Sequence, residues 1–181
     1  MASGEEYRRQ IGEYKSHRAL LKLWQQIVAR DTPEWEPGKA FEFLILRAFE
    51  IEKADICWPF PVNLADQLVE QIDGVVYAAG LSCLVEAKDC SDKTAMEPIA
   101  KLRSQLLRRP VGVIGALFSS SGFTDPSVTL SRFLGPPTIL LWGPEDVMYC
   151  LKKKSMVDGL RRKYRYAVEQ GLPDLTLQES E

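Results

Sequence analysis

The chain has 181 residues, 45% apolar and 27% charged, with 23 basic against 25 acidic side chains and a net charge of −2. That composition predicts one globular domain and excludes a linker, a low-complexity chain or a disulfide scaffold; the four cysteines (Cys57, Cys83, Cys90, Cys150) form no Cys-x-x-Cys pair. No apolar run reaches the roughly 18 residues of a membrane span and residues 1–10 lack a signal-peptide core, so a cytoplasmic protein with reduced thiols is expected, and a pI near 5.6 at first counts against a nucleic-acid partner.

Tyr7, Ile11, Tyr14, Leu21, Trp24 and Val28 predict one helix over 5–29. Its apolar stripe makes it a candidate contact with a second subunit, and His17, the only histidine, is expected on its surface. A single histidine also excludes a histidine-based metal site or a Ser-His triad. Two prolines and a glycine in Asp31–Gly38 break the chain. Phe41, Leu44, Ile45, Ala48 and Phe49 then mark a helix over 39–52. Ala54 to Val62 reads as an edge strand, because Pro59 and Pro61 cannot sit in the middle of a sheet.

Residues 72–77 and 82–88 read as strands joined by a turn at Ala78–Leu81. Thr94 and Glu97 predict a capping box for a helix over 95–108, with Pro98 tolerated in its first turn. Strands follow at 111–118 and 138–142, with a Ser119–Gly122 loop and a helical turn between them. Helices at 144–153 and 156–170 close the chain. A hairpin feeding a βαβ unit implies a mixed sheet with helices packed on it, an α/β or α+β domain.

The charge is segregated: net +3 over 1–30, −9 over 31–100, +7 over 101–170 and −3 over 171–181. An acidic middle and a basic block could be two faces of one molecule, one for cations and one for an anion. The exclusion drawn from pI is therefore withdrawn.

The informative segment is Gln71-Ile72-Asp73-Gly74 followed by Glu86-Ala87-Lys88-Asp89. Glu86 and Lys88 share one strand face, and Val85 and Ala87 the other. A turn centred on Ala79 and Gly80 places Asp73 opposite Glu86, with β-carbons about 5 Å apart. Facing carboxylates repel unless a cation lies between them. Mg²⁺ (or Mn²⁺) suits such oxygens, with substrate phosphate supplying further ligands. Lys88 beside it would orient or deprotonate an attacking water, or stabilise the phosphorane. Glu42, in the apolar run FEFLILRAF, is a plausible fourth member, since an unpaired carboxylate there is costly. Lys101 and Gln105, at i and i+4 on one helix face, read on their own as surface residues.

This arrangement resembles the PD-(D/E)xK nuclease superfamily, and within it the Mrr-like restriction endonucleases. The matching residues are Gly38-Lys39-Ala40-Phe41-Glu42, Ile72-Asp73-Gly74, Val85-Glu86-Ala87-Lys88, Gly115–Thr124, and Ile139–Trp142 with Gly143–Asp146. The likeness spans 38–153. It implies a restriction-endonuclease-like αβββαβ core, with a helical extension over 1–37 and a C-terminal helix and tail (154–181) packed on the core.

By position, the resemblance makes Asp73, Glu86 and the Ala87 carbonyl metal ligands. It makes Lys88 the catalytic lysine, Glu42 an auxiliary ligand and Gln105 a polar site residue. Ile72 replaces the Pro of the PD element, and residues 1–37 carry no helix-turn-helix pattern. Lys101, Lys152, Lys153, Lys154, Arg161, Arg162 and Lys163, with Arg165 beside them, are expected to meet DNA phosphates without reading sequence.

The expected function is a Mg²⁺-dependent DNA endonuclease of the restriction type, hydrolysing phosphodiester bonds without a covalent enzyme intermediate. Cutting two strands calls for a homodimer or a partner subunit. The alternatives are a catalytically inactive DNA-binding or assembly subunit of a defence or repair complex with the same fold, and an RNA or small-molecule phosphodiesterase on that core.

Overall fold

The computed structural model describes residues 4–58, 60–64, 67–133 and 138–177. In chain order the elements are α1 (Gly4–Gly12), α2 (His17–Val28), α3 (Lys39–Ile51), β1 (Asp55–Cys57), β2 (Phe60–Leu64), β3 (Gln67–Ile72), β4 (Gly74–Ala78), β5 (Leu81–Lys88), α4 (Glu97–Leu106), β6 (Val113–Ser119), α5 (Asp125–Phe133), β7 (Ile139–Trp142), α6 (Pro144–Lys153) and α7 (Met156–Gln170). Five strands form a mixed sheet in the order β1-β4-β5-β6-β7, and β2 and β3 form a separate two-stranded ribbon. The β1–β4 and β4–β5 pairs are antiparallel, and the β5–β6 and β6–β7 pairs are parallel. The fold is thus α/β with a mixed sheet. Its order α3-β1-β4-β5-α4-β6 is αβββαβ, with the β2–β3 ribbon inserted after β1.

Alternation along the strands builds two cores. Val76, Cys83, Val85, Ile114, Ala116 and Phe118 face a large cluster with α1, α2, α3, α6 and α7. Val75, Leu84, Leu117, Ile139 and Leu141 face Ile99 and Leu102 of α4. Because both faces are covered, β5 and β6 read as continuous apolar runs rather than as polar–apolar alternation.

The β4–β5 register is the expected one: Gly74 pairs with Val85, Val75 with Leu84 and Ala78 with Leu81. The turn residues Ala79 and Gly80 both have positive φ (51° and 77°), the requirement of a two-residue turn whose twist matches the strands. The expected helices over 144–153 and 156–170 coincide with α6 and α7, and that over 39–52 with α3.

Other expectations need correction. The single helix over 5–29 is two helices, because Ser16 in extended conformation starts α2 and its hydroxyl accepts from the Ala19 N–H (3.3 Å). Of the predicted stripe, Tyr7, Ile11 and Trp24 are buried in this chain's own core and Tyr14 and Leu21 pack partly against it, whereas Val28 is 55% exposed. His17 is buried rather than superficial, with Nε2 2.8 Å from Glu52 Oε1 at the end of α3.

The edge strand over 54–62 is two short strands, β1 at the sheet edge and β2 in the ribbon; Pro59 lies outside the described residues. The strand expected from residue 72 begins at Gly74, because Ile72 closes β3. The helical turn before β7 is a full helix, α5. Thr94 and Glu97 form no capping box: Met96 precedes α4 with no side-chain cap, and Thr94 pairs with Phe123 and shares a 2.7 Å hydrogen bond with Ser119 Oγ. Tertiary partners claim that hydroxyl.

Candidate active site

The site forms where β5 leaves the sheet. Glu86 and Lys88 occupy alternate positions in β5, opposite Leu117 and Ser119 of β6. Glu86 is 1% exposed, and its Oε1 pairs with Lys88 Nζ at 2.6 Å and with Lys101 Nζ, from α4, at 2.9 Å. Asp73 occupies the single residue between β3 and β4, next to the Gly74–Val85 pair, which puts it opposite Glu86 as expected. Its Oδ2 accepts the Ala87 N–H at 2.8 Å. Next to it, Gly74 lets α3 pack closely on the start of β4, because a β-carbon there would lie 2.6 Å from Leu46 Cδ2 of α3 and 3.3 Å from the Cys57 carbonyl. Glu42, in the first turn of α3, is 8% exposed and pairs with Lys39 Nζ at 2.5 Å.

Three carboxylates thus meet three ammonium groups, Lys39, Lys88 and Lys101. The balance is incomplete at Asp73. Burial, then the charges of Glu42 and Glu86, push its carboxyl up to about 7, against the pull of the Ala87 N–H and Lys88. Glu42 is also raised, by burial first, with the Lys39 hydrogen bond opposing. For Lys88, burial pulls the ammonium down, but the hydrogen bond and charge of Glu86 with the charge of Asp73 outweigh it, and its pKa is raised. Lys88 is therefore cationic at neutral pH. It can orient a water or hold a phosphoryl oxygen by charge, and it is a poor base.

Among the described residues, Glu86 Oε2 at the site and Gln105 Oε1 on α4 are buried acceptors with no hydrogen-bond partner. Gln105 lies one turn beyond Lys101 on α4 and is 3% exposed, so its reading as a surface residue is overturned by packing against β6. Among the described residues no three His, Cys, Asp or Glu side chains form a ready-made metal cage. The donors nevertheless fit a hard divalent cation, which takes one or two carboxylates and keeps its waters. Asp73 and Glu86 supply oxygens, one oxygen of Glu86 is unpartnered, and a cation would offset both the burial and the neighbouring negative charges that raise Asp73.

Lys39 received no role from sequence, although its i,i+3 spacing to Glu42 was a signal for it. The basic block fares differently. Lys163 is 1% exposed; its Nζ donates to the Leu141 carbonyl (2.7 Å), Asp146 Oδ2 (2.8 Å) and the Leu175 carbonyl. It is a core residue and cannot reach a phosphate. Arg161 pairs with Asp158 (2.5 Å), and Arg162 lies over the Tyr149 ring, 5.7 Å from its centroid. Arg165 pairs with Glu169 (2.9 Å). Lys152, Lys153 and Lys154 are exposed at the far end of α6. That helix begins beyond β7, whose carboxyl end lies at the same end of the parallel strands as Lys88, and its ten residues put these lysines about 15 Å along its axis. Of the expected phosphate contacts, Lys101 touches the carboxylate site.

The sheet and the αβββαβ order define a mixed α/β domain with a charged cluster at one strand end. No family model and no curated protein matches the chain. Among solved structures it is similar to the DNA modification-dependent restriction endonuclease AspBHI (12% identity, TM-score 0.43, covering 92% of this chain and 43% of that one). It is also similar to the MspJI restriction endonuclease, solved in complex with a 27-mer oligonucleotide (16% identity, TM-score 0.42, covering 98% and 41%). AF1548, a protein of unknown function, is similar over 55% of this chain and 54% of its own (17% identity, TM-score 0.44). The chain spans about half the length of these proteins or less.

Proposed function

We propose that the chain is a divalent-metal-dependent endonuclease of the Mrr-like type, hydrolysing phosphodiester bonds in DNA. The observation that carries this reading is the meeting of Asp73, Glu86 and Lys88 at one strand end, with Glu42 and Lys101 brought in from helices packed on opposite faces of the sheet. Asp73, Glu86 and the Ala87 carbonyl would hold Mg²⁺ or Mn²⁺, which would supply Lewis-acid chemistry at a phosphate and offset charge developing at phosphorus.

The chain's own residues do the rest. The Lys88 ammonium, anchored on Glu86, orients the attacking water and meets the phosphoryl oxygens. Lys101, half exposed, is free to leave Glu86 for a neighbouring phosphate, and Lys39 holds Glu42 in place. Cleavage of both strands needs two such sites, supplied by a second copy of this chain or a partner subunit that also reads sequence.

Plasmid DNA with Mg²⁺ or Mn²⁺ tests this reading. Glu86→Gln and Lys88→Ala should each lower the cleavage rate by roughly 10²-fold or more, the scale of losing a charge aimed at the transition state. Cleavage that persists in both variants removes the site. Metal-independent duplex binding without cleavage would favour the inactive-subunit reading.

A further inference from the structure

Helix α2 ends in an arrangement usually reserved for glycine. The Arg30 N–H donates to the Ile27 carbonyl (3.0 Å) and the Asp31 N–H to the Gln26 carbonyl (2.9 Å), while Arg30 has φ 58°. This is the paired closure in which the left-handed residue is most often glycine, because a β-carbon is disfavoured there. An arginine at this position loses that advantage, and its side chain supplies the compensating contacts.

The Arg30 guanidinium donates through Nη1 to Asp89 Oδ1 and through Nη2 to the Cys90 carbonyl, with Ser120 Oγ 3.4 Å away. These acceptors lie 59, 60 and 90 residues further along the chain, on the loops that leave β5 and β6. The two loops are joined there as well. The Ser120 N–H donates to the Lys88 carbonyl (3.0 Å), the Ser120 hydroxyl to Asp89 Oδ1 (2.6 Å), and the Ser121 hydroxyl to the Asp92 carbonyl (2.6 Å). Asp89 is the residue after Lys88, and its side chain is only 11% exposed. Whatever fixes Asp89 fixes the strand end from which Lys88 reaches Glu86.

We propose that Arg30 is a positioning residue for Lys88, its guanidinium bridging Asp89, the Cys90 carbonyl and Ser120. The assignment rests on the nuclease reading above. It makes the N-terminal helices part of the support of the site. A planar guanidinium suits the task because its fork serves several acceptors at once, which a lysine ammonium at the same place would not. Both terminal nitrogens already donate to protein oxygens, which favours a bracing role for Arg30 over a phosphate contact.

Arg30→Gly is the informative variant, since it removes the guanidinium while relieving the left-handed backbone, so the helix end and the fold survive. Expected are a Tm close to wild type and amide exchange at 88–92 and 119–122 faster by about tenfold or more. The kcat on plasmid should fall by roughly tenfold or more with Kd for an uncleaved duplex held within about twofold, the split a misplaced group produces. Arg30→Lys should recover only part, and Asp89→Asn should reproduce the defect.

Wild-type kcat in Arg30→Gly overturns the assignment, as does a weakened Kd with kcat retained, which would make Arg30 a direct phosphate contact. Unchanged exchange at 88–92 in Arg30→Gly overturns it whatever the activity. A wild-type chain that cleaves nothing with Mg²⁺ or Mn²⁺ overturns the nuclease reading instead.

Discussion

Replacing Lys163 by Met keeps the aliphatic stem and deletes the ammonium. In the native protein that group is enclosed by the Leu141 and Leu175 carbonyls and Asp146, and lies 5.1 Å from the centre of the Trp142 ring. Burial draws its pKa down and Asp146 restores only part of the loss, so the ammonium depends on that partner. Asp146 keeps the N–H groups of Gly143 (2.8 Å) and Leu177 (2.6 Å), but loses its counter-charge in a buried setting. Removing one member of a buried ion pair costs about 3–5 kcal/mol. At about 2–4 °C per kcal/mol for a chain of this size, Tm should drop by roughly 6–20 °C.

Calorimetric melts at pH 7 read this directly, and Lys163→Met combined with Asp146→Asn should regain part of the loss. Fluorescence anisotropy on a labelled duplex gives the second reading, because a phosphate contact would show as a salt slope smaller by about one. A Tm within about 2 °C of wild type, or a lowered slope in folded protein, would refute the placement of Lys163 in the core.

The other predictions concern the carboxylates. Asp73, raised to about 7 from its ordinary 3.8, makes the folded state bind more protons than the unfolded one between those values. Its contribution is favourable at low pH and is lost as pH rises through 7. In metal-free buffer the Tm of Asp73→Asn should therefore gain on wild type from about pH 4 to pH 7 and hold its lead above that; a constant difference across the range would contradict it. Glu52 accepts the N–H groups of Met156 (2.8 Å) and Val157 (2.9 Å) at the start of α7 as well as His17. Glu52→Ala should cost about 1–3 kcal/mol as a lost cap and a lost charge at a helix N-terminus, with faster amide exchange in the first turn of α7. An unchanged melt would show that the cap is dispensable.

Much of the site was legible in sequence because its parts are local. Strand alternation places Glu86 and Lys88 on one face, and the turn at Ala79–Gly80 sets the register that brings Asp73 opposite Glu86. Both follow from neighbours within a few residues. Glu42 stood out because a carboxylate in an apolar run needs a partner, and the i,i+3 spacing on the predicted helix already offered Lys39, which the structure pairs with it. Gln105 and His17 looked superficial because polar residues usually are. Their burial depends on β6 and on the end of α3, elements that no short window contains.

The sequence by itself pointed to the mixed α/β architecture and, for a turn centred on Ala79 and Gly80, to the hairpin register that brings Asp73 close to Glu86, since periodicity and turn chemistry act over a few residues. Only the tertiary structure decided what each charge does. It separated a basic block that looked continuous along the chain into exposed lysines at the end of α6, arginines held by their neighbours, and a lysine enclosed in the core. It also carried Arg30 across 59 residues to the loop beside Lys88. The physical reason is that the energy of a charge depends on what surrounds it in space, and those surroundings come from distant parts of the chain.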